Sequence, residues 1–184
     1  MTGNEEVWPR PHGAPTTASR DFLAAARLSL SQVKRLTAQV GLAYVELDEN
    51  PAGVGIAVEF GQQCVILSII AGGSEGQLYI TTGVLRDVKR DRTAILDLCN
   101  DMVRDNPAYP IYLHDDEAGW DVILGNAFPV RALAASPDFF QDLVQALPEV
   151  ATAARNRFVE VGLGGEPFGS DRRDLSRLLA ESIL

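Results

Sequence analysis

The side chains here that could do chemistry are few: His12 and His114, Cys64 and Cys99, the run Asp115-Asp116-Glu117, and Glu46 with Glu59. A zinc site needs several ligands of matched type at short spacing, and these histidines and cysteines lie far apart with no CxxC pair, so no metal is expected. His114 beside Asp115 and Asp116 has the composition of an acid–base group, but a histidine at a strand end next to a turn is more often a bystander, and it is assigned no role. A calcium loop spreads its oxygen ligands over about a dozen residues, more than this acidic turn contains. No GxSxG elbow is present, and neither cysteine has a basic neighbour in sequence. Glu46 and Glu59, on neighbouring predicted strands, could form a catalytic carboxylate pair, yet alternation places them on a solvent face. The chain is therefore read as a non-enzyme.

Anion chemistry fares no better. Gly72, Gly73 and Gly76 lie between two predicted strands, and neither GxGxxG nor GxxxxGKS/T occurs, so no cofactor is expected. Arg86, Lys89, Arg90 and Arg92 are interleaved with Asp87 and Asp91, which predicts local ion pairs on a solvated connection.

The chain has 184 residues, 46% of them hydrophobic and 22% charged, enough for one complete core and an appended helix. Sixteen basic against 25 acidic residues give a net charge of −9, which argues against nucleic acid and anionic membranes as partners and leaves basic or amphipathic polypeptides. Cysteines in apolar surroundings suit a reduced interior. The opening residues lack the charged start and apolar run of a signal peptide, and the longest apolar stretch, Cys64 to Gly73, is far below the ~20 residues of a membrane-spanning helix. A cytoplasmic protein is expected.

Several elements must position whatever function there is. Residues 1–19, with Pro9, Pro11 and Pro15, read as a disordered tail carrying Trp8. Phe22, Ala26, Leu30, Val33, Leu36 and Val40 recur at spacings of three and four, predicting an amphipathic helix that Gly41 ends. Leu42–Leu47, Val54–Phe60, Cys64–Ile70 and Gln77–Thr82 read as short strands with turn chemistry between them, so an antiparallel meander is the simplest topology. Asp91 can cap a helix running to about Arg104, with Ile95, Leu98, Cys99 and Met102 on its buried face. Pro110–Asp115 and Trp120–Phe128 form a hairpin. Ser136-Pro137 starts a helix that Pro148 either kinks or divides. Residues 162–170 read as a flexible Gly-rich linker to a last helix over 171–184, whose face is Leu175, Leu178, Leu179 and Ile183. A helix so short is marginal alone and must pack on its own domain, on a second copy or on another protein.

This order resembles the YbjN family, whose domain is similar in fold to type III secretion chaperones. The resemblance covers roughly Arg20 to Val161 and rests on LAYVELDEN, VGIAVEF, CVILSII, ILDLCNDMVRDNP, IYLHDDEAGWDVIL and SPDFFQDLVQALPEVA. It implies an α+β fold with an antiparallel sheet and flanking helices, in a small acidic protein, often dimeric, that holds other polypeptides. A sheet covered on one side would offer an exposed edge or an apolar groove to a client. Phe22, Leu30, Val33, Leu175, Leu178, Leu179 and Ile183 are the candidate partner-binding residues. A regulator binding a small ligand between sheet and long helix is the alternative, and an unrecognised hydrolase the third reading.

Overall fold

Helix α1 (Arg20–Gln39) buries Ala26, Leu30, Val33 and Leu36 along one stripe, as its spacing predicts. Thr37 is fully buried within that stripe, and its hydroxyl donates to the Val33 carbonyl at 2.8 Å, which removes the cost of an unpaired polar group. Gly41 stops the helix at φ +75°, a left-handed setting where a Cβ would be strained. The structure, a computed structural model, describes residues 20–49, 53–70, 76–89, 92–105, 109–116, 119–170 and 172–181. The tail with Trp8, the Asp91 cap and Ile183 lie outside them.

Six strands follow: β1 (Val45–Glu46), β2 (Gly53–Phe60), β3 (Gln63–Ile70), β4 (Gln77–Val88), β5 (Ile111–Asp116) and β6 (Gly119–Pro129). All described pairings are antiparallel, in the order β1-β2-β3-β4-β6-β5. The first four strands make the expected meander. The closing hairpin then enters by its second strand, so that β6 lies against β4 and β5 becomes the outer edge. Helix α2 (Arg92–Asp105) leads into that hairpin and packs against β5.

After β6 come α3 (Val130–Ala135), α4 (Pro137–Glu160) and α5 (Arg172–Glu181). The six residues of α3 bury Val130 and Leu133 and were not anticipated, because fewer than two helical turns show no periodicity. Ser136 occupies the N-cap position of α4 without a side-chain cap bond, while Pro137 fills the first turn as expected. Pro148 neither ends nor restarts that helix, which continues to Glu160.

The sheet is covered on both sides, not on one. Val54, Ile56, Val58, Val65, Leu67, Ile69, Val122 and Leu124 face an inner core completed by α1, α2, α3 and α4. Ala57, Cys64, Ile66 and Ile123 face the opposite side and pack under Phe168, Leu175, Leu178 and Leu179. Strands buried on both faces read as continuous apolar runs, which is what Val54–Val58 and Cys64–Ile70 are.

The 162–170 segment is a bound strap, which corrects its reading as a flexible linker. Strand β4 pairs with β3 only at Tyr79, Ile80 and Thr81 and then runs on to Val88, leaving open backbone groups along one edge. The strap meets those of Arg86: Arg86 N donates to Glu166 O at 2.7 Å, and Glu166 N to Arg86 O at 2.9 Å. Phe168, next along, is buried directly over Gly83, where any Cβ would collide with its ring.

Candidate functional site

The apolar face of α5 is spent inside the molecule. Leu175, Leu178 and Leu179 close the outer core, while Leu30 and Val33 belong to the inner one, so these five are buried packing residues within the chain. Their spacing encodes burial against the sheet, and sequence periodicity alone cannot tell an internal partner from an external one. Phe22 is half-buried against the inner core.

Charge pins α5 in place. Arg86 of β4 reaches Asp174 (Nη1 to Oδ1, 2.6 Å) and Glu166 (Nη2 to Oε2, 3.0 Å). Arg177 reaches Asp121 of β6 (Nε to Oδ2, 2.5 Å) and Asp87 (Nη2 to Oδ1, 3.3 Å), with its guanidinium 6.0 Å from the Phe168 ring centre. Asp121 and Asp174 are almost wholly buried, and each also accepts a backbone bond, from Asp87 N (3.0 Å) and Gly169 N (2.5 Å) respectively. Asp87 itself sits at φ +56° beside a β-bulge, a setting that short polar side chains tolerate. For Arg86 and Asp87 the local pairs expected are replaced by long-range ones: the strand continues through both and presents them to α5 and the strap, while Arg90 and Asp91 lie outside the described residues. Arg92 instead stacks over Trp120 at 5.5 Å, and Lys89 is exposed.

The other candidate groups are not brought together. Glu46 is aligned with inner-facing Ile56 and pairs with Lys34 of α1 at 2.7 Å, whereas Glu59 is aligned with outer-facing Cys64, so the two carboxylates lie on opposite faces. His114 is half-buried on β5 in register with Asp121. Burial pushes the Cys64 thiol up to about 11, with Glu59 adding to it, and the Cys99 thiol up to about 12. Neither is a nucleophile near neutral pH. Among the described residues, no group of three or more His, Cys, Asp or Glu could hold a metal, and no helix is long and apolar enough to cross a membrane.

The outermost strand β5 lies beside an apolar hollow. Strand β1 offers only two residues, but β5 offers six, and no strand among the described residues pairs with its outer side. Ile111 and Leu113 of β5 point to the inner face, level with Leu124 and Val122, while Tyr112 and His114 point outward. Where β5 meets α2 and α4, Met102, Ile111, Leu124, Val150, Ala153 and Ala154 line a groove of about 260 Å³ that also carries Asp105 and Arg157. Burial and then Asp142 raise the pKa of Tyr109; burial and then Tyr79 raise that of Tyr112. The sequence does not announce the groove, because its residues come from four separate elements, α2, β5, β6 and α4, each of which reads as ordinary core.

No family model matches the chain, and no curated protein does. Among solved structures, the chain is similar to YbjN from E. coli, a proposed transcription regulator: TM-score 0.51 and 12% identity, over 77% of this chain and 96% of that one. The likeness is one of fold, and it agrees with the α+β architecture expected from the order of elements.

Proposed function

We propose that the chain is a non-enzymatic adaptor that takes an extended segment of a partner polypeptide along the free edge of β5. The carrying observation is the pairing of a six-residue open strand with an apolar groove at its side. Backbone groups on such an edge supply a ladder for an incoming strand, and a neighbouring hollow selects one of its side chains. Filling the groove with a Leu-sized group would contribute roughly 1.5–3 kcal/mol. Asp105 lines the groove, Asp115 lies on β5 itself, and the chain carries −9 overall, so the fitting segment is basic as well as apolar.

YbjN is described as a proposed transcription regulator, and a regulatory use of this chain would act through protein contacts, because an acidic surface repels DNA phosphates. The same edge can receive β5 of a second copy, which would extend the sheet into a dimer. A reduced, cytoplasmic setting agrees with two free buried cysteines.

The test is site-specific photo-crosslinking from Tyr112 and Ala153 in the native cell, followed by mass spectrometry. Adducts to one defined segment, or to a second copy, at these sites and not from exposed Leu28 support the reading. Equal labelling from all three positions sinks it.

A further inference from the structure

Arg86, Arg177 and Arg155 are all partly buried, yet their partners differ in kind. The first two are each matched by two carboxylates. Arg155, on α4, has none among the described residues. Its Nε donates to the Val84 carbonyl at 3.2 Å. With the Gln63 amide oriented to satisfy both its ends, the Gln63 nitrogen donates to Pro148 O (2.9 Å) and its oxygen accepts from Arg155 Nη2 (3.1 Å). Nη1 is left with no protein partner among the described residues. Burial lowers the pKa of the guanidinium, the sign of a cation that has lost water without gaining a counter-charge.

This arginine lines an open cleft of about 640 Å³, bounded by the β2–β3 turn, the middle of α4 and the end of the strap. Phe60, Pro148 and Pro167 give it apolar walls, and Gln62, Thr152 and Ser170 add hydrogen-bonding groups. Two fixed bonds hold the guanidinium fork in one orientation, which suits a planar carboxylate better than a point charge. Glu149 also lines the cleft, and with a net charge of −9 around it the site would disfavour a dianion such as a phosphate monoester.

We propose that the cleft binds a small organic monocarboxylate, its carboxylate on Arg155 Nη1 and its apolar body against Phe60 and the two prolines. The site is separate from the β5 edge and does not depend on the adaptor reading.

The experiment titrates the full chain with 3-phenylpropionate and follows the Arg155 Nε–H and Gln63 side-chain amide signals by NMR, with 3-phenylpropionamide and inorganic phosphate as comparison arms. The carboxylate is expected to shift both signals saturably, and the amide and phosphate to bind at least about tenfold more weakly. Arg155→Gln should remove binding. Because that variant also loses the bond to Val84, Gln63→Glu provides the second arm: it supplies an internal carboxylate, should keep the fold, and should weaken 3-phenylpropionate at least about tenfold. Unmoved Arg155 and Gln63 signals, equal binding of acid and amide, tighter binding of phosphate, or undiminished binding by Gln63→Glu would each overturn the proposal.

Discussion

Arg86 and Asp174 stand 88 residues apart in sequence and 2.6 Å apart in space, the shorter arm of a bridge that fastens the last helix to the outer face of the sheet. Helix α5 has ten residues, too few to persist alone in water, so its order is borrowed from this contact and from the leucines beneath it.

Replacing Asp174 by Ala leaves Arg86 with only the exposed Glu166 and strips the Gly169 N–H of its acceptor. Breaking one side of a buried pair costs about 3–5 kcal/mol, and urea denaturation should show a loss near the lower end because Arg86 keeps some contact with water. The double variant Arg86→Met with Asp174→Leu should recover most of it, since the expensive species is the unmatched charge. A double variant as unstable as Asp174→Ala alone would show that the bridge matters for more than charge balance.

Phe168→Ala should cost about 3 kcal/mol, the usual range for emptying a buried aromatic site. Gly83→Ala should act in the same direction by about 1–3 kcal/mol, because the added methyl occupies the volume of the ring. Amide exchange distinguishes this from general weakening: protection should fall in α5 and persist in α1 and α4. Uniform loss of protection across all three would contradict a strap that seals one face only.

Why the strap escaped the sequence is instructive. Gly162, Gly164 and Gly165 around Pro167 suggest freedom, yet glycine also permits close approach, and Gly165 lies against the Arg86 carbonyl and the Val88 side chain. Helix α1, β2, β3, the β5–β6 hairpin and α4 were legible because their apolar residues repeat at helical or strand spacing over several turns. In the sequence, β4 reads as ending at Thr82 only because Gly83 and the charged pair Arg86-Asp87 have the composition of a connection, whereas the strand runs to Val88. Those charges are partly buried, and their partners in α5 and the strap explain them. The β5 groove draws on four elements and the Arg155 cleft on three segments, and no local pattern announces such a junction.

Ala153 lies exposed on α4 at the groove beside β5. Ala153→Arg should fill that groove while changing stability by no more than about 0.5 kcal/mol, the usual range for a surface substitution. If β5 takes a partner segment there, crosslinking from Tyr112 should fall to background in this variant. Undiminished capture with the groove blocked would move the docking surface elsewhere.

The thiols give a prediction with a defined pH window. Cys64 and Cys99 titrate near 9 when unfolded, and burial raises them to about 11 and about 12 in the folded chain. Below pH 9 both states hold these protons and the thiols contribute no slope. Above it the unfolded chain releases them first, so unfolding gains about 1.4 kcal/mol per pH unit for each thiol until the folded pKa is passed. Raised phenols at Tyr109 and Tyr112 push in the same direction at the upper end. Urea midpoints should therefore be flat with respect to these groups through neutral pH and fall steeply above about 9. Cys64→Ala with Cys99→Ala, though less stable throughout from lost packing, should flatten that alkaline decline. Both thiols should also resist alkylation at pH 8 until denaturant is added, and rapid labelling of either in the native protein would place it outside the core described here.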